Sequence, residues 1–253
     1  VTATTSSTAL ALDASLALEF AGEHRDLLQT LAALDAAFAE IPRLDHAVAH
    51  TKLQWWREEI ARWLAGAARH PLTIALPKGA YSPRRQAHFE ACFRARFQAV
   101  DLELIGFAPA TREEALTLID RREGSLATLS VSLMTGLEDP PVTAFGRQLG
   151  RARGLRTCLL GAFDSLEERR RQLDDLREAL AALLALRSPW RHRVIPHLIE
   201  ATLLQSRLPQ DATQPFPTPR AALAQCWRAW RCARRGRPTD ATAASSTDSP
   251  VSE

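Results

Sequence analysis

Residues 46–66, HAVAHTKLQWWREEIARWLAG, decide the fold class. Leu53, Trp56, Ile60, Trp63 and Leu64 recur at spacings of three, four, three and one, which places them on one stripe of an α-helix. The reading predicts a helix over roughly 46–65, stopped by Gly66. Successive helical side chains diverge by about 100°, so Trp55 cannot share the face of Trp56. It sits nearer Lys52, Glu58, Glu59 and Arg62, and is expected to pack on a second neighbouring helix or to line a cavity. Glu58 and Glu59 diverge for the same reason, and solvated or ion-paired roles are expected for them rather than metal ligation.

Outward from this stretch the same periodicity continues. Only 11 glycines occur in 253 residues, no segment alternates apolar and polar residues for long, and Ala, Leu, Arg and Glu favour helix. An all-α protein is predicted. A first helix is expected from about Asp13 or Ser15 to Glu40, ended or kinked by Pro42. A helix over about 85–105 turns Phe89, Cys92, Phe93 and Phe97 inward, and the capping box Thr111 to Glu114 opens a helix to about Leu137. Asp139-Pro140-Pro141 interrupts before a helix over 142–163, and a charged stretch over 165–178 leads into an Ala/Leu run ending at Arg187. Ser188-Pro189 begins a further helix to about Leu208, the four prolines of 209–219 form a linker, and 220–235 is a last helix. The expected organisation is a flexible segment 1–12, one helical domain over 13–235 and a disordered tail over 236–253 whose Ser, Thr, Ala, Asp and Pro cannot offset chain entropy.

The balance of charge is unspecific. With 32 basic and 29 acidic residues the net charge is +3, and no nucleic-acid partner is expected. Hydrophobic residues at 46% and charged residues at 24% are ordinary for water-soluble domains. No window approaches the roughly 20 apolar residues of a membrane span, the opening residues lack the pattern of a signal peptide, and the four cysteines match no zinc spacing. Reduced thiols in a cytoplasm are the expectation. His46 and His50 lie at i,i+4 without a further ligand pattern, and no phosphate loop, GxSxG elbow or dinucleotide fingerprint occurs. In the last helix Leu223, Trp227 and Trp230 share a stripe amid Arg228, Arg231, Arg234 and Arg235. Docking of the tryptophan face on the bundle is the preferred reading, and a helix lying on an anionic membrane is the second.

The run Lys52 to Leu76, KLQWWREEIARWLAGAARHPLTIAL, resembles the squalene/phytoene synthase family, in particular bacterial members with a KLxWWRxEL segment followed by Gly and His-Pro. Val100-Asp101-Leu102 before a short loop continues the likeness. So do Arg122-Glu-Gly-Ser-Leu126, where the family has an AGSL segment, and Leu149-Gly-Arg-Ala152, where it has LGxAxQLTNILRDVxxD. The resemblance covers roughly residues 15–235. It implies an isoprenoid-synthase-type helical bundle whose central cavity holds prenyl diphosphates, joined head to head with Mg²⁺ bound by two aspartate-rich motifs. Hard cations held by carboxylates would neutralise the departing diphosphate.

This chain departs from the pattern at those motifs. Glu40 and Asp45, with Pro42 between them, stand at the first, and Asp164 is the one acidic remnant of the second. Gly154, Arg156, Thr157 and Leu160 replace the Gln, Thr, Asn and Arg of the family segment, and its tyrosine falls on or beside Leu118. The resemblance therefore implies a family-like protein without Mg-dependent catalysis, an isoprenoid-binding or assembly-factor-like module. Non-catalytic relatives that assist respiratory-complex assembly supply the analogy. The alternative is an active prenyltransferase making squalene or phytoene with relocated metal ligands. Lys52, Arg57, Arg121, Arg122 and Arg156 are the candidate phosphate-binding residues. No cofactor is expected under the first reading and Mg²⁺ under the second. Expected partners are a prenyl diphosphate or isoprenoid lipid, a protein, and a peripheral contact with the inner face of a membrane through residues 221–235.

Overall fold

A computed structural model describes residues 16–77, 81–160, 165–214 and 222–236, and among these residues there are helices and no strand. The expected segment 1–12, the cap candidates Asp13 and Ser15, and the tail beyond Gly236 lie outside the described residues. The first long helix, α1, is Arg25–Glu40. The expected single helix reaching back to Asp13 or Ser15 is corrected: helical backbone at 16–18 ends before Gly22, whose φ is +52°, and a 3₁₀ turn Gly22–His24 leads into α1. A left-handed residue cannot continue a right-handed helix, and glycine adopts that conformation without a Cβ clash. Pro42 ends α1 as expected, inside a 3₁₀ turn Ile41–Arg43.

Helix α2 is His46–Leu64, started by Asp45, whose Oδ1 accepts from Ala47 N at 3.1 Å. After a single helical turn at Pro71–Ile74 comes α3, Pro83–Leu104, capped by Ser82. Helix α4 (Arg112–Ile119) opens on the expected capping box of Thr111 and Glu114. It does not run unbroken to Leu137, because Asp120–Gly124 forms a π-helical turn before α5 (Ser125–Thr135). Helices α6 (Pro140–Leu159) and α7 (Leu166–Ala185) follow, capped by Asp139 and Ser165. The expected helix over 189–208 is split into a 3₁₀ segment Pro189–Val194 and α8, Ile195–Gln205. Pro196 explains the split, since it supplies no N–H for an α bond and suits only a first turn. The last helix, α9, is Ala222–Gly236.

Helix α5 is the axis of the packing, with all its residues but Leu133 buried. One side of it, Leu126 and Leu129, joins Leu34 and Phe38 of α1, Leu53, Trp56 and Trp63 of α2, and Phe89, Phe93 and Phe97 of α3. The other side, Ala127 and Val131, joins Phe145, Leu149 and Leu155 of α6, Leu176 and Leu180 of α7, and Leu198 of α8. Contact between α6 and α5 is closest at two glycines. A Cβ on Gly146 would stand 2.3 Å from Thr128 Cα, and one on Gly150 would stand 2.3 Å from Gly124 Cα. No larger residue fits without moving backbone.

Helix α9 reverses the docking expected for it. Ala229 and Ala233 are buried against Ile199 and Leu203 of α8, while Trp227 is 56% and Trp230 39% exposed. Small residues let two helix backbones approach closely, so the alanine face seats on the bundle and the indoles turn outward. The side chains of Leu223 and Arg235 are outside the described residues.

Candidate functional site

Between α1, α5, α6 and α8 lies a cavity of about 270 Å³. Its apolar wall is made by Leu18, Leu28, Leu31, Ala32 and Leu126, and its polar wall by Asp35, Glu123, Ser130, Arg153, His197 and Glu200. The polar residues come from five elements: Asp35 from α1, Glu123 from the π turn, Ser130 from α5, Arg153 from α6, and His197 and Glu200 from α8. A π turn inserts one residue into the helical repeat, which re-aims the side chains around it and is frequent at functional sites.

Arginines hold the carboxylates of this wall. Arg96 of α3, 2% exposed, donates to Asp35 Oδ1 from Nε at 3.2 Å and from Nη2 at 3.1 Å, with its guanidinium 5.9 Å from the centre of the Phe38 ring. Arg153 grips Glu200 with two bonds, Nε to Oε1 at 2.7 Å and Nη2 to Oε2 at 2.6 Å. Such a fork is strongly directional. Arg122 Nε lies 3.3 Å from Glu123 Oε1. Behind the fork, His197 Nε2 is 2.8 Å from Ser130 Oγ, and His197 Nδ1 is 3.9 Å from Glu200.

The protonation of the wall follows from these pairings. Burial alone would raise the Glu200 carboxyl, but Arg153 and then His197 outweigh it and hold the group far below the usual carboxylate range. Burial would likewise lower Arg153, and Glu200 reverses the shift, so its guanidinium is raised. His197 is pushed down, first by burial, and favours the neutral imidazole. Glu123 is pushed up, first by burial and next by the charge of Asp35. Of Glu123 and Glu200, Glu123 therefore takes a proton more readily.

The five candidate phosphate-binding residues are scattered, and none of them lines this cavity. Lys52 bonds Glu40 at 2.8 Å, and Arg57 bonds Asp101 at 2.5 Å on the α2–α3 surface. Arg121 lines a separate open groove with His88 and Arg147. Arg156 is buried in α6. Arg122 comes nearest, because it pairs with Glu123. Of the motif remnants, Glu40 is tied to Lys52, Asp45 caps α2, and Asp164 lies outside the described residues. His46 and His50 face each other with ring centres 4.4 Å apart. Among the described residues, no group of three or more His, Cys, Asp and Glu is arranged to hold a metal ion.

Two expectations for α2 resolve differently. Trp55 is partly exposed and lies edge-on to Trp56 and to the ring of His70, at 5.0 and 5.6 Å, so a loop residue rather than a second helix covers it. Of the solvated or ion-paired roles expected, Glu59 takes the ion-paired one, with Arg62, and is fully buried. Its Oε1 accepts from Arg69 N at 2.7 Å, His70 N at 2.8 Å and Thr73 Oγ1 at 2.5 Å, and its Oε2 accepts from Arg62 Nε at 2.9 Å. Burial by itself would raise this carboxyl, yet the donors from His70, Thr73, Arg69 and Arg62 hold it at about 2.

Sequence reasoning did not single out Asp35, Arg153, His197 or Glu200. They are far apart in the chain and obey no motif spacing. The one available signal was Asp35 itself, a lone acid beside the apolar stripe of Leu27, Leu31, Leu34 and Phe38. The molecule thus defines a class, an all-α bundle with a charge-paired internal cavity. Comparison with family models, curated proteins and solved structures gives no significant match.

Proposed function

We propose that this protein is a squalene/phytoene-synthase-like module that holds an uncharged isoprenoid-type chain in the cavity beside α5 and does not condense prenyl diphosphates. The observation that carries the reading is the pairing of each wall carboxylate with an arginine: Asp35 with Arg96, Glu200 with Arg153, Glu123 with Arg122. Mg²⁺ is held by one or two carboxylates together with water or phosphate oxygens, and each carboxylate of this wall is already paired with a guanidinium. Taking Asp35 from Arg96 would leave a guanidinium that is 2% exposed without its counter-charge, at a cost of several kcal/mol. These three paired carboxylates therefore do not suit a divalent cation in this cavity.

A diphosphate is disfavoured for the same reason. It would face Asp35, Glu123 and Glu200 while the neighbouring arginines already have acceptors. An alkyl chain with a hydroxyl end meets no such penalty. Leu18, Leu28, Leu31 and Leu126 can cover the chain, and His197 or Ser130 can exchange a hydrogen bond with the hydroxyl. At about 270 Å³ the cavity is just below the range of about 300–1,000 Å³ common for ligand sites, which suits a slender chain.

The test uses farnesol, farnesyl diphosphate and geranylgeranyl diphosphate, the diphosphates with and without Mg²⁺. Farnesol is expected to raise the melting temperature more than either diphosphate, and Leu31→Trp, which fills the cavity, is expected to abolish that rise. No squalene, phytoene or cyclopropyl diphosphate should form. Any such product above a no-protein control, or a larger shift from a diphosphate than from the alcohol, overturns the reading.

A further inference from the structure

The outward face of α9 and the pocket at its root form one basic, aromatic surface. Trp227 and Trp230 stack with ring centres 4.8 Å apart and planes 23° apart, and the guanidinium of Arg234 lies 4.9 Å from the centre of the Trp230 ring. Both indoles are substantially exposed. On the flank of the same helix, Arg228 and Arg231 join Arg187 and Arg191 around a pocket of about 460 Å³. The remaining lining is Leu184, Leu198, Thr202 and Cys232, with no Asp or Glu. Within α9 itself there are four arginines and no acidic residue. Arg191 Nη1 donates to the carbonyl oxygens of Leu184, at 3.1 Å, and Leu186, which anchors that guanidinium at the pocket wall.

We propose that this surface docks on an anionic phospholipid bilayer, the arginine pocket taking a headgroup phosphate and the two indoles entering the interface beside it. Charge complementarity selects the occupant. Four guanidiniums, two from residues 187–191 and two from α9, converge with no carboxylate among them, and guanidinium matches the geometry of phosphate oxygens. Exposed tryptophans explain why the occupant is a membrane surface rather than free phosphate, since an indole has an apolar body and one polar N–H suited to the headgroup boundary. The alanine face of α9 is already used for docking on α8, so the indoles are not needed to hold the helix in place. No helix among the described residues is long and apolar enough to cross a membrane, so contact through this face would be peripheral.

The experiment is sedimentation of the full chain with phosphatidylglycerol-containing or pure phosphatidylcholine vesicles, at low and high salt. Binding is expected to the anionic vesicles alone and to weaken with salt. Each arginine near an anionic surface adds a factor of about five, so Arg228→Gln/Arg231→Gln should lower the partition coefficient about 25-fold. Trp227→Ser/Trp230→Ser should reduce it independently. Since all four side chains are exposed, unchanged urea midpoints are expected for both variants, and single substitutions replace any double variant that fails this check. Equal binding to neutral vesicles, or binding unaffected by either pair of substitutions, overturns the proposal. So does protection by inorganic phosphate without vesicle binding, which would identify a free-anion site. Binding of a short single-stranded RNA without vesicle binding would assign the surface to a different partner.

Discussion

Trp56 shows how a single side chain ties several elements together. Its ring is edge-on to Phe38 of α1 at 5.1 Å and tilted against His70 of the following loop at 4.8 Å, and it is nearly fully buried. Trp56→Ala should therefore cost about 3–5 kcal/mol, the loss for a large aromatic removed from a packed core. A urea titration checks it, and an unchanged midpoint with an unchanged slope contradicts it. The neighbouring acids Glu58 and Glu59 have opposite environments despite their adjacency. Glu58 is exposed and lies 3.8 Å from Arg62, a contact worth little, whereas Glu59 gathers the backbone N–H groups of Arg69 and His70 and the hydroxyl of Thr73 in the helical turn that follows. Adjacent helical positions diverge by about 100°, and here that angle separates water from core.

At the scale of elements, the seam between α6 and the α4–α5 turn is set by Gly146 and Gly150. A methyl group at Gly150 would press into the backbone at Gly124, so Gly150→Ala should destabilise by about 1–3 kcal/mol or more. The structure allows no side-chain rotation to relieve the clash, because the nearest atoms are backbone. Equilibrium unfolding measures the cost, and a variant as stable as the parent would mean that α6 can shift freely. The same seam carries function in the proposed reading. It fixes the π turn that presents Glu123 to the cavity, and it holds Arg153, one turn beyond Gly150 on α6, across from Glu200 on α8. A displaced α6 would disturb the cavity wall along with the core.

The molecule as a whole has an acid dependence that its buried carboxylates dictate. Glu59 is held at about 2 against an ordinary 4.5, and Glu200 is also held low, so each stabilises the fold while ionised. That contribution is complete above the unfolded value near 4.5 and is lost as pH falls toward the folded value. Glu123, raised by burial and Asp35, acts in the opposite sense and at higher pH: its folded form takes up a proton before the unfolded chain does, so it adds stability as pH falls toward 4.5 and contributes no further change below. Glu59 and Glu200 should then leave stability falling between about pH 4.5 and 2. Glu59→Gln should flatten part of that fall and, with donors left poorly matched, lower stability near pH 7 by about 1–3 kcal/mol. Urea midpoints across pH would show it, and parallel curves for parent and variant would refute it.

How much was legible in the sequence depends on the range of the interaction that decides each feature. The all-α class, the stripe of α2, the stop before Gly66, the capping box at Thr111 and the break at Asp139-Pro140-Pro141 all rest on neighbours within about four residues, and the periodicity of the chain determined them. The break at Gly22 and the π turn at Asp120–Gly124 did not show in that periodicity, since one backbone angle or one inserted residue leaves the apolar pattern almost unchanged. The cavity wall was beyond reach altogether. Asp35 meets Arg96 across 61 positions and Arg153 meets Glu200 across 47, pairings that exist only once α1, α3, α6 and α8 have packed. Tertiary structure also chose the face of α9, because close approach to α8 favours Ala229 and Ala233 over the bulkier indoles that composition alone would bury.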